Sequence, residues 1–109
     1  MTYTPERGDF IWLQFHPQAG HEQAGRRPAL VLSPRSYNGA SGLAIVCPVT
    51  GRVKGYPFEV VLPEETHISG VVLADHVRSV DWLVREAAYI GRASESVITE
   101  VRKKVGILI

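Results

Sequence analysis

Phe10-Ile11-Trp12-Leu13-Gln14-Phe15 is a run of strong strand formers that is apolar at both parities, so it predicts a β-strand covered on both faces. Gln14 and His16 mark its drift toward the surface, and His16-Pro17 closes it. Trp12, inside the run, is expected in the core. A second strand, Ala29 to Ser33, is stopped by Pro34. Between the two lies a connection, residues 16–27, that is long for a hairpin, and such length in a compact domain points to a functional segment.

That connection holds Gly20-His-Glu-Gln-Ala-Gly-Arg-Arg-Pro28, which concentrates a carboxylate, an imidazole and two guanidiniums. Gly20, Gly25 and Pro28 make it a loop rather than a regular element. Arg27 leads directly into the second strand, which limits its wandering and can aim its planar donors at a phosphate. Taken alone, these nine residues read first as an Arg–Glu pair tying a hairpin loop, because most loop charges simply stay wet.

Further along, Arg35 to Gly42 is turn chemistry with room for one helical turn around Ser36 to Asn38. Leu43 to Cys47 predicts a third strand ending at Pro48, and Thr50 follows beside the basic loop Arg52-Val-Lys-Gly-Tyr56. A fourth strand is expected over Pro57 to Leu62. Pro63 to Gly70 is a polar turn, and Val71 to Trp82 forms one long or two broken strands, half exposed from Asp75 onward. A short strand near Ala87 to Ile90 precedes a helix with Ser94 as N-cap, Glu95 in its first turn and Val97, Ile98, Val101, Val105 and Leu108 at helical spacing. Short strands with Gly/Pro turns and one final helix give a mainly β fold with a C-terminal α-helix: a small, strongly bent antiparallel sheet or partly open barrel.

The 109 residues suit one domain, 1–109, with ordinary globular composition at 45% hydrophobic and 21% charged. No run reaches the length of a membrane span and the first residues lack a secretory signal, so a cytoplasmic location is expected. The single Cys47 excludes an intramolecular disulfide and reads as a core residue. The net charge of +1 is uneven: residues 1–55 carry six basic side chains (Arg7, Arg26, Arg27, Arg35, Arg52, Lys54) against three acidic ones (Glu6, Asp9, Glu22). Five of the six lie in expected loops, where they can converge on a polyanion.

His16, His21, His67 and His76 show no zinc-type spacing, and no metal or cofactor is expected. Phosphate-binding glycine loops and a nucleophilic serine elbow are also missing. Guanidiniums, a carboxylate, an imidazole and a hydroxyl remain. Such a set fits metal-free cleavage of RNA, in which the 2′-hydroxyl is the nucleophile and the protein supplies proton transfer and charge stabilisation.

Four stretches then carry a resemblance: Gly8-Asp9-x-Ile11-Trp12; Glu22-Gln-Ala-Gly-x-Arg27-Pro-Ala-x-Val-Leu-Ser-Pro34; Pro48-x-Thr50; and Lys54-Gly-Tyr-Pro-Phe-Glu-Val-Val61. Together with Gly70-Val-x-Leu-Ala-Asp-x-Val77 and the final helix, they resemble the MazF family of bacterial toxin endoribonucleases, also called PemK-like. The resemblance implies an SH3-like barrel of the plasmid-maintenance-toxin type, a homodimer, cleavage of single-stranded RNA at short sequences, and silencing by an acidic antitoxin of the MazE type.

By position, the resemblance makes Arg27 and Thr50 the catalytic pair, with Glu22 supporting activity. Arg27 stays protonated and suits stabilisation of the phosphorane, Thr50 suits a nonbridging oxygen, and Glu22 either accepts the 2′-hydroxyl proton or orients Arg27. Arg26, Arg35, Arg52, Lys54 and His21 are expected to contact RNA. His21 and Arg26 stand where a family member carries a serine and a histidine, so His21 is a second candidate for proton transfer. The competing reading is a non-catalytic toxin of the same fold that binds DNA gyrase, as CcdB-type relatives do.

Overall fold

The computed structural model describes residues 3–15, 25–63 and 68–109, with Phe15 described by its backbone alone. Among the described residues there are seven strands: β1 (Asp9–Phe15), β2 (Gly25–Val31), β3 (Leu43–Thr50), β4 (Glu59–Val61), β5 (Val71–Leu73), β6 (Arg78–Asp81) and β7 (Ala88–Arg92). They are joined by two α-helices, α1 (Arg35–Ser41) and α2 (Glu95–Leu108), and a short 3-10 helix, Ala74–His76. Every strand pairing is antiparallel, in the order β4-β5-β3-β2-β1-β7, and the path does not close among the described residues. The expected bent, partly open architecture is thus the one observed.

The bend arises at β3. Its first half pairs with β6 (Leu43↔Asp81 to Val46↔Arg78) and its end pairs with β5 (Val49↔Val72, Thr50↔Val71). Pro48 falls between those two ladders. Ile45 accepts from the Leu32 N–H and donates to Ser33 Oγ, so its polar backbone atoms face β2. Alternation turns the Pro48 nitrogen to the opposite side, where no ladder donor is needed. The strand therefore runs through Pro48 rather than stopping there as the sequence suggests.

Period-two alternation places one core on each side of the sheet. Phe10, Leu30, Leu32, Cys47 and Val49 pack with Val97, Ile98, Val101 and Val105 of α2. Ile11, Leu13, Ala29, Val31, Ala44 and Val46 pack with Val80 and Trp82. Burying each such side chain contributes about 1.5–3 kcal/mol, so α2 is held chiefly by this contact rather than by its propensity. Ser94 Oγ accepts from the Val97 N–H at 3.3 Å, which satisfies a free donor at the helix start. Leu108, placed on the buried stripe by spacing, is exposed because the core ends one turn earlier.

Trp12 departs from its expected place in the core. Trp12 is 39% exposed, while Trp82, read as part of a half-exposed strand, is 7% exposed and donates its indole N–H to Asn38 O at 2.9 Å. Asn38 is fully buried: its side chain donates to Pro5 O and Ser33 O and accepts from Ser33 Oγ. The turn residue of the sequence reading is thus a buried polar hub that joins the N-terminal segment, β3 and Trp82. Cys47 lies in the core as expected, and burial followed by the nearby Asp75 charge pushes its thiol up to about 12.

Candidate nucleic-acid interface

Arg27 belongs to β2 and not to the loop before it. Gly25, with φ of +90°, opens the strand in a backbone conformation that L side chains rarely adopt, and Arg26 and Arg27 already pair with Gln14 and Leu13 of β1. Val31 O accepts from the Gly8 N–H, so alternation turns the Pro28 nitrogen toward β3, where the ladder has already ended at Ala29↔Pro48. Pro28 therefore costs no ladder bond and does not exclude Arg27 from the strand.

The same register decides the site. Two residues beyond its last pair, β2 and β3 present Arg27 and Thr50 at equivalent positions. Both share the parity of the Ala29 and Val46 core, so they project from one face at its polar margin. Arg26, adjacent in sequence, projects from the other face and lies 3.5 Å from Glu86 O.

Arg27 is half-buried, and its Nε is buried with no hydrogen-bond partner among the described residues. A buried donor left unpaired costs roughly 1–3 kcal/mol and is retained where it has an external task. Thr50 Oγ1 accepts from the Arg52 N–H at 3.1 Å. That is the turn-capping role common for a threonine, yet it uses only a lone pair and leaves the O–H proton for a ligand oxygen. The margin thus carries a guanidinium and a hydroxyl donor at equivalent positions of neighbouring strands, each two residues past the last pair.

Residues 51–57 continue from Thr50 as an exposed loop carrying Arg52 and Lys54. The Lys54 ammonium lies 5.8 Å from the centroid of the Tyr56 ring. Glu59, at the start of β4, accepts from the Gly55 N–H at 2.9 Å and from the Lys54 N–H at 3.2 Å. Behind the loop, Gly70 lets β5 approach the Thr50 backbone, since a Cβ there would meet Thr50 O at 2.1 Å. Glu59 and Gly70 are functional candidates that sequence reasoning missed. Glu59 was visible in the Lys54-to-Val61 motif without a role, and the Gly70 contact spans too much sequence for local patterns to reveal it.

Arg35 does not join this cluster. It opens α1, beyond the end of β2 opposite to Arg27, with its N–H on Glu6 Oε1 (2.9 Å) and its Nε on Thr4 O (3.3 Å). Glu22 and His21, with the whole of residues 16–24, lie outside the described residues. Among the described residues no three His, Cys, Asp or Glu side chains are grouped as metal ligands, and no helix is long and apolar enough to cross a membrane.

Comparison with known proteins adds the family. Residues 6–109 match the model of the PemK-like, MazF-like toxins of type II toxin–antitoxin systems. The chain belongs to this family. It is 45% identical to the endoribonuclease toxin MazF of Escherichia coli K12 over 107 residues, which covers 98% of this chain and 96% of that one. It is 44% identical to the endoribonuclease toxin ChpB of the same organism over 100 residues, covering 87% and 85%. A crystal structure of MazE–MazF from Deinococcus radiodurans superposes with a TM-score of 0.92 at 60% identity, covering 98% of this chain and 96% of that one.

Proposed function

We propose that this MazF-like protein is an endoribonuclease toxin that cuts single-stranded RNA, chiefly messenger RNA, in a sequence-specific and metal-independent way. The juxtaposition of Arg27 and Thr50 at the open end of the β2–β3 ladder carries the reading. The RNA's own 2′-oxygen attacks the adjacent phosphorus and the bond to the 5′-oxygen breaks. The products are a 2′,3′-cyclic phosphate and a 5′-hydroxyl, with one proton taken from the 2′-hydroxyl and one returned to the leaving oxygen.

Arg27 keeps its charge throughout, so it stabilises the phosphorane rather than shuttling protons. Its unpartnered Nε is a donor that a phosphate oxygen can satisfy. Thr50, already accepting from Arg52, donates its O–H to a nonbridging oxygen. Glu22 accepts the 2′-proton or orients Arg27, with His21 as the second proton-transfer group. Arg52 and Lys54 hold the RNA backbone beside this pair, with Arg26 reaching RNA from the opposite face of β2.

The toxin works in the cytoplasm as a homodimer and is neutralised by an acidic antitoxin of the MazE type. An exposed apolar surface supports the dimer: Tyr37, Ile45 and Ile109 are open to solvent and line a groove of about 500 Å³. The relative in the Deinococcus structure is named in complex with MazE. An extended acidic tail would cover the basic loop in place of RNA and fold only on binding.

The test is incubation of the purified protein with a long RNA in EDTA. Discrete cuts that disappear in Thr50→Ala support the reading. Intact RNA alongside inhibition of DNA gyrase would replace it with the gyrase-binding one. A peptide of the antitoxin tail should compete with RNA, and Lys54→Glu should weaken both.

A further inference from the structure

We propose that Glu59 is a positioning residue for RNA: it folds the basic loop so that Lys54 and Tyr56 are presented together to one nucleotide beside the cut. The proposal rests on the endoribonuclease reading above and extends it to a residue that touches no substrate. The loop needs such a device, because residues 51–57 are exposed throughout and bury almost nothing of their own.

The carboxylate supplies it by binding backbone. Glu59 Oε1 accepts from the Gly55 N–H at 2.9 Å, and its two oxygens lie 3.3 and 3.2 Å from the Lys54 nitrogen. The Glu59 N–H returns a bond to Tyr56 O at 3.1 Å, so the turn is closed from both directions. Gly55 adopts φ of +81°, which brings two successive N–H groups onto one acceptor. Lys104 of α2 donates to Pro57 O and anchors the outer end. Glu59 itself is fixed in the β4–β5 ladder opposite Leu73.

A counter-ion role does not describe this arrangement. Among the described residues Glu59 forms no ion pair with Arg52 or Lys54, although both lie in the loop it braces. Its charge is spent on backbone donors, which leaves the Lys54 ammonium and the 61%-exposed Tyr56 ring available. A phosphate suits the first and a base stacks on the second, a pairing that holds single-stranded RNA without regard to a particular base.

The sign of the effect makes the inference testable. Removing a carboxylate from beside a polyanion site should, by charge alone, tighten RNA binding. Loss of loop geometry weakens it. We expect Glu59→Ala to raise the Kd for a short RNA in EDTA by roughly tenfold, with the single-turnover rate at saturating RNA within about twofold of the parent, whereas Glu59→Gln, whose amide oxygen still accepts from Lys54 and Gly55, should bind at least as tightly as the parent. The log–log salt slope should fall by about one ion, and adding Lys54→Ala should cost little more, since both changes disable one contact. Amide exchange at Lys54 and Gly55, read without RNA, should speed up in Glu59→Ala. Tighter or unchanged RNA binding by Glu59→Ala, or full additivity with Lys54→Ala, overturns the proposal. Failure of the parent protein to bind or cut RNA while exchange at Lys54 and Gly55 still responds would instead strike the endoribonuclease reading alone.

Discussion

A side chain at Gly70 would collide with the backbone of Thr50: its Cβ would lie 2.1 Å from the Thr50 carbonyl oxygen and 2.9 Å from the carbonyl carbon. Neither backbone can yield easily, because Val71 pairs with Thr50 and Gly70 O accepts from the Leu62 N–H. Gly70 also has φ of +114°, which strains any L side chain. Gly70→Ala should therefore move the Thr50 hydroxyl and lower single-turnover cleavage by about 100-fold, as misplacement by an ångström does, with a smaller change in RNA affinity. An unchanged rate would show that Thr50 is not held through this contact.

Arg27 links stability and activity with opposite signs. Its Nε is a buried donor without a partner among the described residues, so Arg27→Leu removes an unsatisfied polar group opposite Leu13. Urea unfolding should show stability at least equal to the parent, while cleavage is lost. Arg27→Lys keeps the charge but not the planar fork, and its loss should fall on turnover, by roughly 2–4 kcal/mol of barrier. A change confined to RNA affinity would make Arg27 a binding residue instead.

The fold has its own sensitive point at Asn38. Replacing this buried side chain with alanine strands Pro5 O, Ser33 O and Ser33 Oγ at once. Asn38→Ala should cost about 2–3 kcal/mol in chemical unfolding, near the upper end for groups left unsatisfied. Trp82 fluorescence should report it, since the indole N–H bonds to Asn38 O.

These features differ in how readily the sequence disclosed them. Apolar runs disclosed most strands, and the one apolar at both parities disclosed cover on both faces of β1, because such patterns are local. Arg27 was placed in a loop because Gly25 and Pro28 punctuate the chain there. The strand includes them because Gly25 opens it at positive φ and the Pro28 nitrogen faces past the end of the β3 ladder. The apolar run around Trp12 points to the core although its side chain is exposed, and the partner that fixes Trp82 inside, the Asn38 carbonyl, is too distant in sequence for a local pattern to show. The position of Thr50 before a basic loop discloses its turn-capping bond, its assignment to the site rests on the family resemblance, and the Glu59 brace depends on a carboxylate folding back onto the N–H groups of Lys54 and Gly55.

Acid should loosen the N-terminal clasp. The Arg35 N–H, and then the Arg7 N–H, hold the Glu6 carboxyl below its ordinary value of 4.5. A depressed carboxyl stabilises the fold above its unfolded value and loses that contribution as pH falls through the folded one. Glu6→Gln should melt earlier than the parent at pH 7, and the two should converge as pH is lowered below 4.5. The effect is modest because the Glu6 side chain is still partly open to solvent, which screens its charge. A difference that persists unchanged at low pH would assign it to packing rather than to charge.

The central claim is that the substrate's own 2′-hydroxyl performs the attack while Arg27 and Thr50 stabilise the phosphate. The most direct measurement compares two RNA oligonucleotides in EDTA, identical except for one 2′-deoxynucleotide on the 5′ side of the mapped cut. The all-ribose strand should be cut to a 2′,3′-cyclic phosphate and a 5′-hydroxyl, and the substituted strand should bind with similar affinity yet stay whole. Cleavage of the substituted strand at a comparable rate, or products ending in a 5′-phosphate, would contradict the mechanism.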